Sequence, residues 1–235
     1  ALRKSLGLYI NVRPVFLFDA LLESSTIKPE IIKNLDIVII RELIGGVYFG
    51  EPRGFHDGPN KSGFNTMIYS ENEVSRISQY AFDLSKKRSS RVTSVDKANV
   101  LEASQVWRDT VTKLHKDKYS EIKLDHMYVD NAAMQLIKDP KQFDVILTEN
   151  LFGDIISDEA SVIGGSIGLL ASASVGKKYA MFEPIHGSYP QATGKGIANP
   201  VASILSAAML LDHFDLKDEA GMIRKAVDKA DIGIM

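Results

Sequence analysis

Short runs of hydrophobic residues alternate along the chain with stretches whose hydrophobic positions recur at helical spacing. The clearest run covers residues 35–43 and is continuous, which is typical of a strand buried on both faces. The segment 46–65 is rich in Gly, Pro and Asn and predicts a loop or a hairpin. Three further strands are predicted at 91–97, 122–130 and 143–150.

Helices are predicted between these strands. Ser70 and Glu73 form an S-x-x-E capping box, which predicts a helix that runs to about Lys87. A second helix is expected from Val100 to Lys116. Its core-facing positions are predicted to be Val100, Ala103, Trp107, Val111 and Leu114.

Three more helices follow. Asp130 is expected to cap a short helix, Asn150 to start another, and Gly164–Gly165 to end that one. Asn199, with Pro200 at the first helical position, is expected to open the last helix. Its inward side chains are predicted to be Val201, Ile204, Leu205, Ala208 and Leu211. This alternation of strands and helices predicts an α/β fold, and any domain boundary must pass through the sheet because no hydrophilic linker is present.

Composition narrows the functional classes. The 235 residues are 45% hydrophobic and 25% charged, and the formal net charge is −2, so no global field favours nucleic acid or anionic lipid. The absence of Cys excludes disulfides, thiolate metal sites and Cys nucleophiles. No apolar run has the length of a membrane span. We expect a cytoplasmic protein without membrane or nucleic-acid partners. We also expect it to be cut from a longer chain, because the sequence begins without Met and ends without a helix cap.

The common nucleotide-binding signatures are absent. No G-x-G-x-x-G follows a strand, and the Gly-Lys pair at 194–195 lacks the Walker A spacing. Residues 183–200 instead form a long, polar, Gly-rich segment that contains His186, and a plain connecting loop is rarely this long. We interpret it as a candidate nucleotide cradle of another kind.

Five basic or phenolic side chains are candidates for substrate binding or catalysis. Arg3, Arg13 and Arg41 could bind carboxylates bidentately, although a single arginine of this kind is more often a surface or ion-pair residue. Arg41 is the strongest, because it closes an apolar strand at an edge where open α/β sheets bind ligands. Lys97 follows a strand and could act as a base, although a lone lysine there is more often a surface residue that flanks a helix. Tyr48 lies in a Gly-flanked loop that makes its hydroxyl approachable, although a tyrosine there more often serves packing.

Three aspartates are the strongest local signal. Asp154 and Asp158 share a helix face among apolar neighbours, where like charges repel, and Asp130 follows a strand. Hard oxygen donors without Cys fit Mg²⁺ or Mn²⁺. A favourable position in the first helical turn would explain Asp154 without a metal but leaves Asp158 unexplained.

Four stretches together resemble a known family. They are "RELIGGVYFGEPR", "SVDKANVL", "NLFGDIISDEAS" and "EPIHGSYPQATGKGIANP". They resemble the isocitrate/isopropylmalate dehydrogenase family of metal-dependent β-decarboxylating dehydrogenases, over essentially the whole chain. The isocitrate and tartrate branches usually carry a Glu in the "GG" stretch and lack "YFGEPR". The resemblance therefore implies the branch that oxidises 3-isopropylmalate with NAD in leucine biosynthesis.

The resemblance also implies a role for each candidate. Tyr48 would be the general acid and Lys97 the base. The substrate would be bound by Arg3, Arg13, Arg41 and Asp130. The metal would be held by Asp130, Asp154 and Asp158, and its charge would offset a repulsion otherwise tolerable only in open water. NAD would be bound by Glu183, His186, Gly187, Ser188, Gln191 and Asn199.

The family fold has two domains that share a sheet, without the Rossmann fingerprint. It would place 9–164 in a small dimerising domain and 1–8 with 165–235 in an incomplete large domain. Lys97 and Asp130 would reach across from the partner of a homodimer. The sequence departs from the family at Gln191, where NAD-using members commonly carry Asp, and at Ile44, Gly164 and Ala171. The alternatives are a sister dehydrogenase for isocitrate or tartrate, or a non-catalytic subunit. The resemblance also implies that the N-terminal residues that recognise the isopropyl group are missing from this sequence.

Overall fold

The computed structural model describes residues 2–18, 21–22, 25–163 and 167–230. Its strands are β1 Leu8–Phe16, β2 Asp36–Glu42, β3 Gly50–His56, β4 Ser62–Thr66, β5 Arg91–Asp96, β6 Lys123–Tyr128, β7 Val145–Thr148, β8 Ala171–Gly176 and β9 Ala180–Pro184. Seven strands of this part form one sheet in the order β6–β5–β7–β2–β1–β8–β9, and β3 pairs with β4 in a separate hairpin.

Helices cover the sheet and connect its strands. They are α1 Leu2–Ser5, α2 Pro29–Ile32, α3 Glu71–Ser85, α4 Glu102–Lys118, α5 Val129–Lys138, α6 Asn150–Ile163, α7 Val201–His213 and α8 Lys217–Lys229. In the part of the chain that the structure describes, none of these helices combines the length and the apolar character that crossing a bilayer requires.

The strand directions bring the carboxyl ends of four strands to one edge of the sheet. β2, β7, β5 and β6 are parallel to one another, whereas β1 runs antiparallel to both β2 and β8. The carboxyl ends of the four parallel strands therefore lie at the same edge of the sheet. Loops that leave this edge lead into the β3–β4 hairpin, α4, α5 and α6. Open α/β sheets bind ligands at such an edge.

The continuous apolar run of β2 is explained by cores on both faces of the sheet. Val38 and Ile40 pack on the face that is covered by α3 and α4, with Trp107 at its centre. Ile37 and Ile39 point to the opposite face, which is covered by α5 and α6. A third core joins α7 and α8 to β8.

Most of the predicted elements are confirmed. The four predicted strands and the hairpin are present, and Ser70 and Glu73 form both hydrogen bonds of the capping box. The predicted α/β class is also confirmed. The predicted end of α6 at Gly164–Gly165, and with it the predicted domain boundary at 164/165, lies outside the described residues, whereas the other predicted boundary, at 8/9, falls at the start of β1. β1 pairs with β8 across that boundary, so the sheet is continuous there, and the division itself stays a prediction.

Several details of the predicted helices are wrong. Val100 is 61% exposed, because α4 begins only at Glu102. Asp130 is not a cap, because α5 begins at Val129 and places Asp130 in its first turn. Pro200 occupies the cap position of α7 rather than its first turn. Ile204 is 40% exposed and does not point inward.

Candidate active site

Arg41 is held at the carboxyl edge of β2 and is only 4% exposed. Its Nη1 forms a short ion pair with Asp154 Oδ1, on the second turn of α6. The side chain runs directly over the helix: a Cβ at Gly153 would come within 2.6 Å of Arg41 Cγ. The glycine in "NLFGD" therefore lets the arginine cross the first turn of α6 on its way to Asp154.

Asn150 completes the surroundings of Arg41 and was missed as a functional residue. Its Oδ1 accepts from Arg41 Nε at 3.1 Å and from Nη2 at 2.7 Å. Its Nδ2 donates to the carbonyls of Leu43 and Gly45, at 3.2 and 3.0 Å. The sequence indicated only that Asn150 starts a helix. A polar amide that follows a buried strand at the same edge as Arg41 was the available signal.

Arg13 lies beside Arg41 on the neighbouring strand. Its Nη1 donates to Asp158 Oδ1 at 2.9 Å, and its Nη2 lies 3.7 Å from Asp154 Oδ1. Asn11, another residue that sequence reasoning missed, accepts from Arg13 Nε at 2.7 Å. Burial, and then the charge of Arg41, lowers the pKa of Arg13, while Asp158 and Asp154 oppose that shift. The two carboxylates thus stabilise the paired guanidinium groups.

These contacts correct one explanation of the aspartate pair. Asp154 is not a first-turn residue, because α6 begins at Asn150 and has no acidic residue in its first turn. Arg13 and Arg41 pair with Asp154 and Asp158 and offset part of their repulsion. Their side chains remain 35% and 55% exposed, so both carboxylates are accessible from solvent.

Tyr48 reaches the same cluster from the turn before β3. Its hydroxyl donates to Asp154 Oδ2 at 2.8 Å, and its ring centroid lies 5.9 Å from the guanidinium carbon of Arg41. Burial, followed by the hydrogen bond to Asp154 and the charge of that carboxylate, raises the pKa of Tyr48. The phenol is therefore protonated at neutral pH and can act as a proton donor.

Lys97 and Asp130 form a second group, at the ends of β5 and β6. Lys97 Nζ makes a short ion pair with Asp130 Oδ1, and this hydrogen bond lowers the pKa of Asp130. Within the described ranges, no three His, Asp or Glu side chains lie together as a metal cluster. One chain therefore does not bring Asp130 to Asp154 and Asp158.

Part of the predicted nucleotide loop surrounds an open cavity of about 910 Å³. The predicted residues that line it are His186, Gly187, Ser188 and Asn199. Gln191 lies exposed in a short turn beside the cavity, and Glu183 lies in β9. Arg3 Nη2 donates to Glu183 Oε1 at 2.5 Å, so Arg3 contacts the edge of the nucleotide segment rather than the Arg13 and Arg41 pair.

The fold and these residues can be compared with known protein families. The isocitrate/isopropylmalate dehydrogenase family model matches residues 1–231. The chain therefore belongs to the isocitrate/isopropylmalate dehydrogenase family, and the predicted family fold is confirmed.

Two relatives within this family are similar in sequence to the chain. The chain is 58% identical over 229 residues to 3-isopropylmalate dehydrogenase of Wolinella succinogenes. This match covers 97% of the chain and 62% of the relative. It is 58% identical over 211 residues to 3-isopropylmalate dehydrogenase of Sulfurimonas denitrificans, covering 90% of the chain and 58% of the relative. The chain thus spans about three fifths of these proteins.

A solved structure is also similar. Isocitrate dehydrogenase from Methylococcus capsulatus superposes with a TM-score of 0.88 at 36% identity, over 97% of this chain and 66% of that one.

Proposed function

We propose that the full-length protein converts 3-isopropylmalate to 4-methyl-2-oxopentanoate and CO₂ while it reduces NAD, as a step of leucine biosynthesis. One observation carries this proposal. A protonated phenol, Tyr48, and a buried guanidinium, Arg41, meet on the same carboxylate, Asp154. The site thus combines an acid with groups for binding a dianionic substrate, and the two relatives described above are named 3-isopropylmalate dehydrogenases.

The residues fit a divalent metal ion. Asp154 and Asp158 contact the same guanidinium, that of Arg13, and both remain accessible. Carboxylate oxygens are the ligands that Mg²⁺ and Mn²⁺ prefer, and the chain has no Cys to favour a softer metal. A third ligand, Asp130, would come from the partner subunit.

The nucleotide cavity fits NAD. At Gly187, Gly194 and Gly196 a Cβ would meet nothing within 4 Å, so the loop leaves open space beside its backbone. Backbone N–H groups can approach a pyrophosphate closely at such glycines. Gln191 can donate to or accept from a ribose hydroxyl, and no Lys or Arg at that position attracts the additional phosphate of NADP.

Each residue then has a chemical role. Arg13 and Arg41 bind substrate carboxylates through their planar N–H groups, and Arg3 would complete this set. When bound, the metal ion polarises the substrate oxygens and NAD accepts the hydride. Lys97 takes the proton of the C2 hydroxyl, directly or through a water molecule. After CO₂ is lost, Tyr48 protonates the enol carbon.

The active unit is proposed to be a homodimer. Four large side chains on α5 and α6 are exposed in the single chain: Met134 61%, Ile137 45%, Ile155 57% and Val162 60%. An exposed apolar face of this kind is typical of an interface. A dimer that pairs through this face would let Lys97 and Asp130 of one subunit contribute to the site of the other. We also infer a cytoplasmic location from the proposed pathway.

A sister activity is the second candidate, because the similar solved structure is an isocitrate dehydrogenase. The test is to follow NADH or NADPH absorbance in the full-length protein with Mn²⁺, crossing 3-isopropylmalate, isocitrate and tartrate with NAD and NADP. The proposal predicts the highest kcat/KM for 3-isopropylmalate with NAD. A higher value for isocitrate, or for NADP, would support the sister branch instead. No reduction with any pair would support the non-catalytic subunit.

A further inference from the structure

Beneath the turn that carries Tyr48 lies a buried polar network that the proposed chemistry does not use. Its members Glu42, Tyr69, Glu149 and Asn150 are each at most 6% exposed. Burying two carboxylates is costly, and burial raises the pKa of both Glu42 and Glu149. Polar groups that are buried at such a cost are expected to fix a geometry.

Asn150 is the centre of this network, and its amide orientation follows from its neighbours. The Arg41 N–H groups can only donate, so they face Oδ1. The Leu43 and Gly45 carbonyls can only accept, so they face Nδ2. One side chain therefore ties the substrate-binding arginine to the backbone just before Tyr48.

Tyr69 holds this centre in place from below. Its hydroxyl accepts from the backbone N–H of Asn150 at 3.0 Å and donates to Glu149 Oε2 at 3.1 Å. Glu149 in turn accepts from the backbone N–H of Leu151 at 3.0 Å and of Phe152 at 2.6 Å. The start of α6 is thus fixed by side-chain oxygens that replace its missing helical partners.

The same hydroxyl also supports the turn from its other side. A Cβ at Gly46, where φ is +71°, would lie 2.4 Å from the Tyr69 hydroxyl oxygen. At Gly45 a Cβ would lie 2.9 Å from Glu42 Oε2, which also accepts from the Gly45 N–H at 2.7 Å. The glycine pair therefore lets the turn lie directly on the network.

We propose that Asn150 and Tyr69 are positioning residues, which hold Arg41 and the turn that carries Tyr48 as one unit on the first turn of α6. This role rests on the proposed function, because it assigns the unit to the binding and protonation of that substrate. The arginine and the acid are thereby held at a fixed separation. Both positioning residues are buried, with Asn150 0% and Tyr69 6% exposed, so they act through Arg41 and the turn.

The test uses Asn150→Asp and Tyr69→Phe in the full-length protein. Asn150→Asp keeps an acceptor for Arg41 but turns a carboxylate oxygen toward the Leu43 and Gly45 carbonyls. Tyr69→Phe removes only the hydroxyl. The matched control is Thr148→Val, which removes another fully buried hydroxyl, one that donates to the Val95 carbonyl at 3.1 Å. Steady-state kinetics with 3-isopropylmalate and hydrogen exchange of the peptide covering 44–50 are measured for each.

Positioning predicts that both variants lower kcat by roughly 10- to 100-fold, while kcat of the control stays within about twofold of the wild type. Exchange should become faster in 44–50 for both variants and remain unchanged in β5 and α4. An unchanged kcat in both variants overturns the proposal. So does faster exchange throughout the sheet, which marks general destabilisation.

The exchange measurement also separates the two proposals. If the wild type reduces no NAD with any of the three acids, the proposed function fails. Selective exchange in 44–50 would still support the mechanical link between Asn150 and the turn. Unchanged exchange there would overturn it, whatever the activity.

Discussion

Tyr48 and Asp154, which are 106 positions apart in the chain, share a hydrogen bond of 2.8 Å from the phenol to Oδ2. The other oxygen of Asp154 pairs with Arg41. A carboxylate proposed as a metal ligand therefore also sets the position of the proposed acid. Loss of Asp154 would affect both functions.

Tyr48→Phe should lower kcat by roughly 10²- to 10⁴-fold, because the enol carbon loses its proton donor. Protonation follows hydride transfer, so the first turnover should still produce NADH. Rapid mixing, with NADH absorbance followed over the first turnover of each enzyme active site, separates hydride transfer from protonation. Tyr179→Phe, at a tyrosine that is 47% exposed, is the control. A normal steady-state rate in Tyr48→Phe would assign the acid elsewhere.

Gly153→Ala should displace Arg41, because the new Cβ would lie 2.6 Å from its Cγ. Overpacking of this kind costs about 1–3 kcal/mol, more than the gain of up to about 1 kcal/mol in helix propensity. We expect a lower free energy of unfolding and a higher KM for 3-isopropylmalate. Denaturant titration and steady-state kinetics measure them.

Gly221→Ala in α8 is the matched control, since a Cβ there meets nothing within 4 Å. It should raise stability by about 0.5–1 kcal/mol. If Gly153→Ala behaves in the same way, the close passage of Arg41 over α6 is contradicted.

Glu149 should give an unusual pH dependence of stability. Burial raises its pKa above the ordinary 4.5, so between the unfolded and folded pKa values the folded state holds the extra proton. Stability from this group is therefore fully present below the unfolded pKa and is lost as pH rises through the folded pKa. The free energy of unfolding of the wild type minus that of Glu149→Gln should fall across this window. A difference that rises there would contradict a raised pKa.

Sharing of the site between subunits predicts complementation. Lys97→Ala and Asp154→Asn should each be inactive as homodimers. If Lys97 serves the partner's site, a mixed dimer has one site with both native residues. Random reassembly of equal amounts should then recover about a quarter of the wild-type rate, because half of the dimers carry one native site of two. A mixture that stays inactive would place both residues in the site of one chain.

The sequence predicted structure best where a local pattern of residues has one physical explanation. The continuous apolar run of β2 and the Ser70–Glu73 capping box predicted their elements correctly. Arg13, Arg41, Tyr48 and the aspartate pair lie together in one cluster, as the family resemblance implied. The resemblance supplied their roles, which spacing alone left open.

What the sequence could not provide depends on contacts between distant segments. Asn150 looked like a helix start because its hydrogen bonds to Arg41 and Gly45 exist only once β2 and β7 are paired. Tyr69 gave no signal at all, since its hydroxyl contacts residues about 80 positions away. The pairing of Arg3 with Glu183 was likewise invisible.

The most direct test of the account is the metal dependence of Asp154→Asn in the full-length protein. NADH formation from 3-isopropylmalate is measured while Mn²⁺ is titrated, beside wild type and the control Asp117→Asn in α4, outside the site. The account predicts saturable activation for wild type and control, and no turnover for Asp154→Asn at ordinary metal concentrations. Turnover by Asp154→Asn with an unchanged Mn²⁺ requirement would contradict it, because the metal would then be held elsewhere.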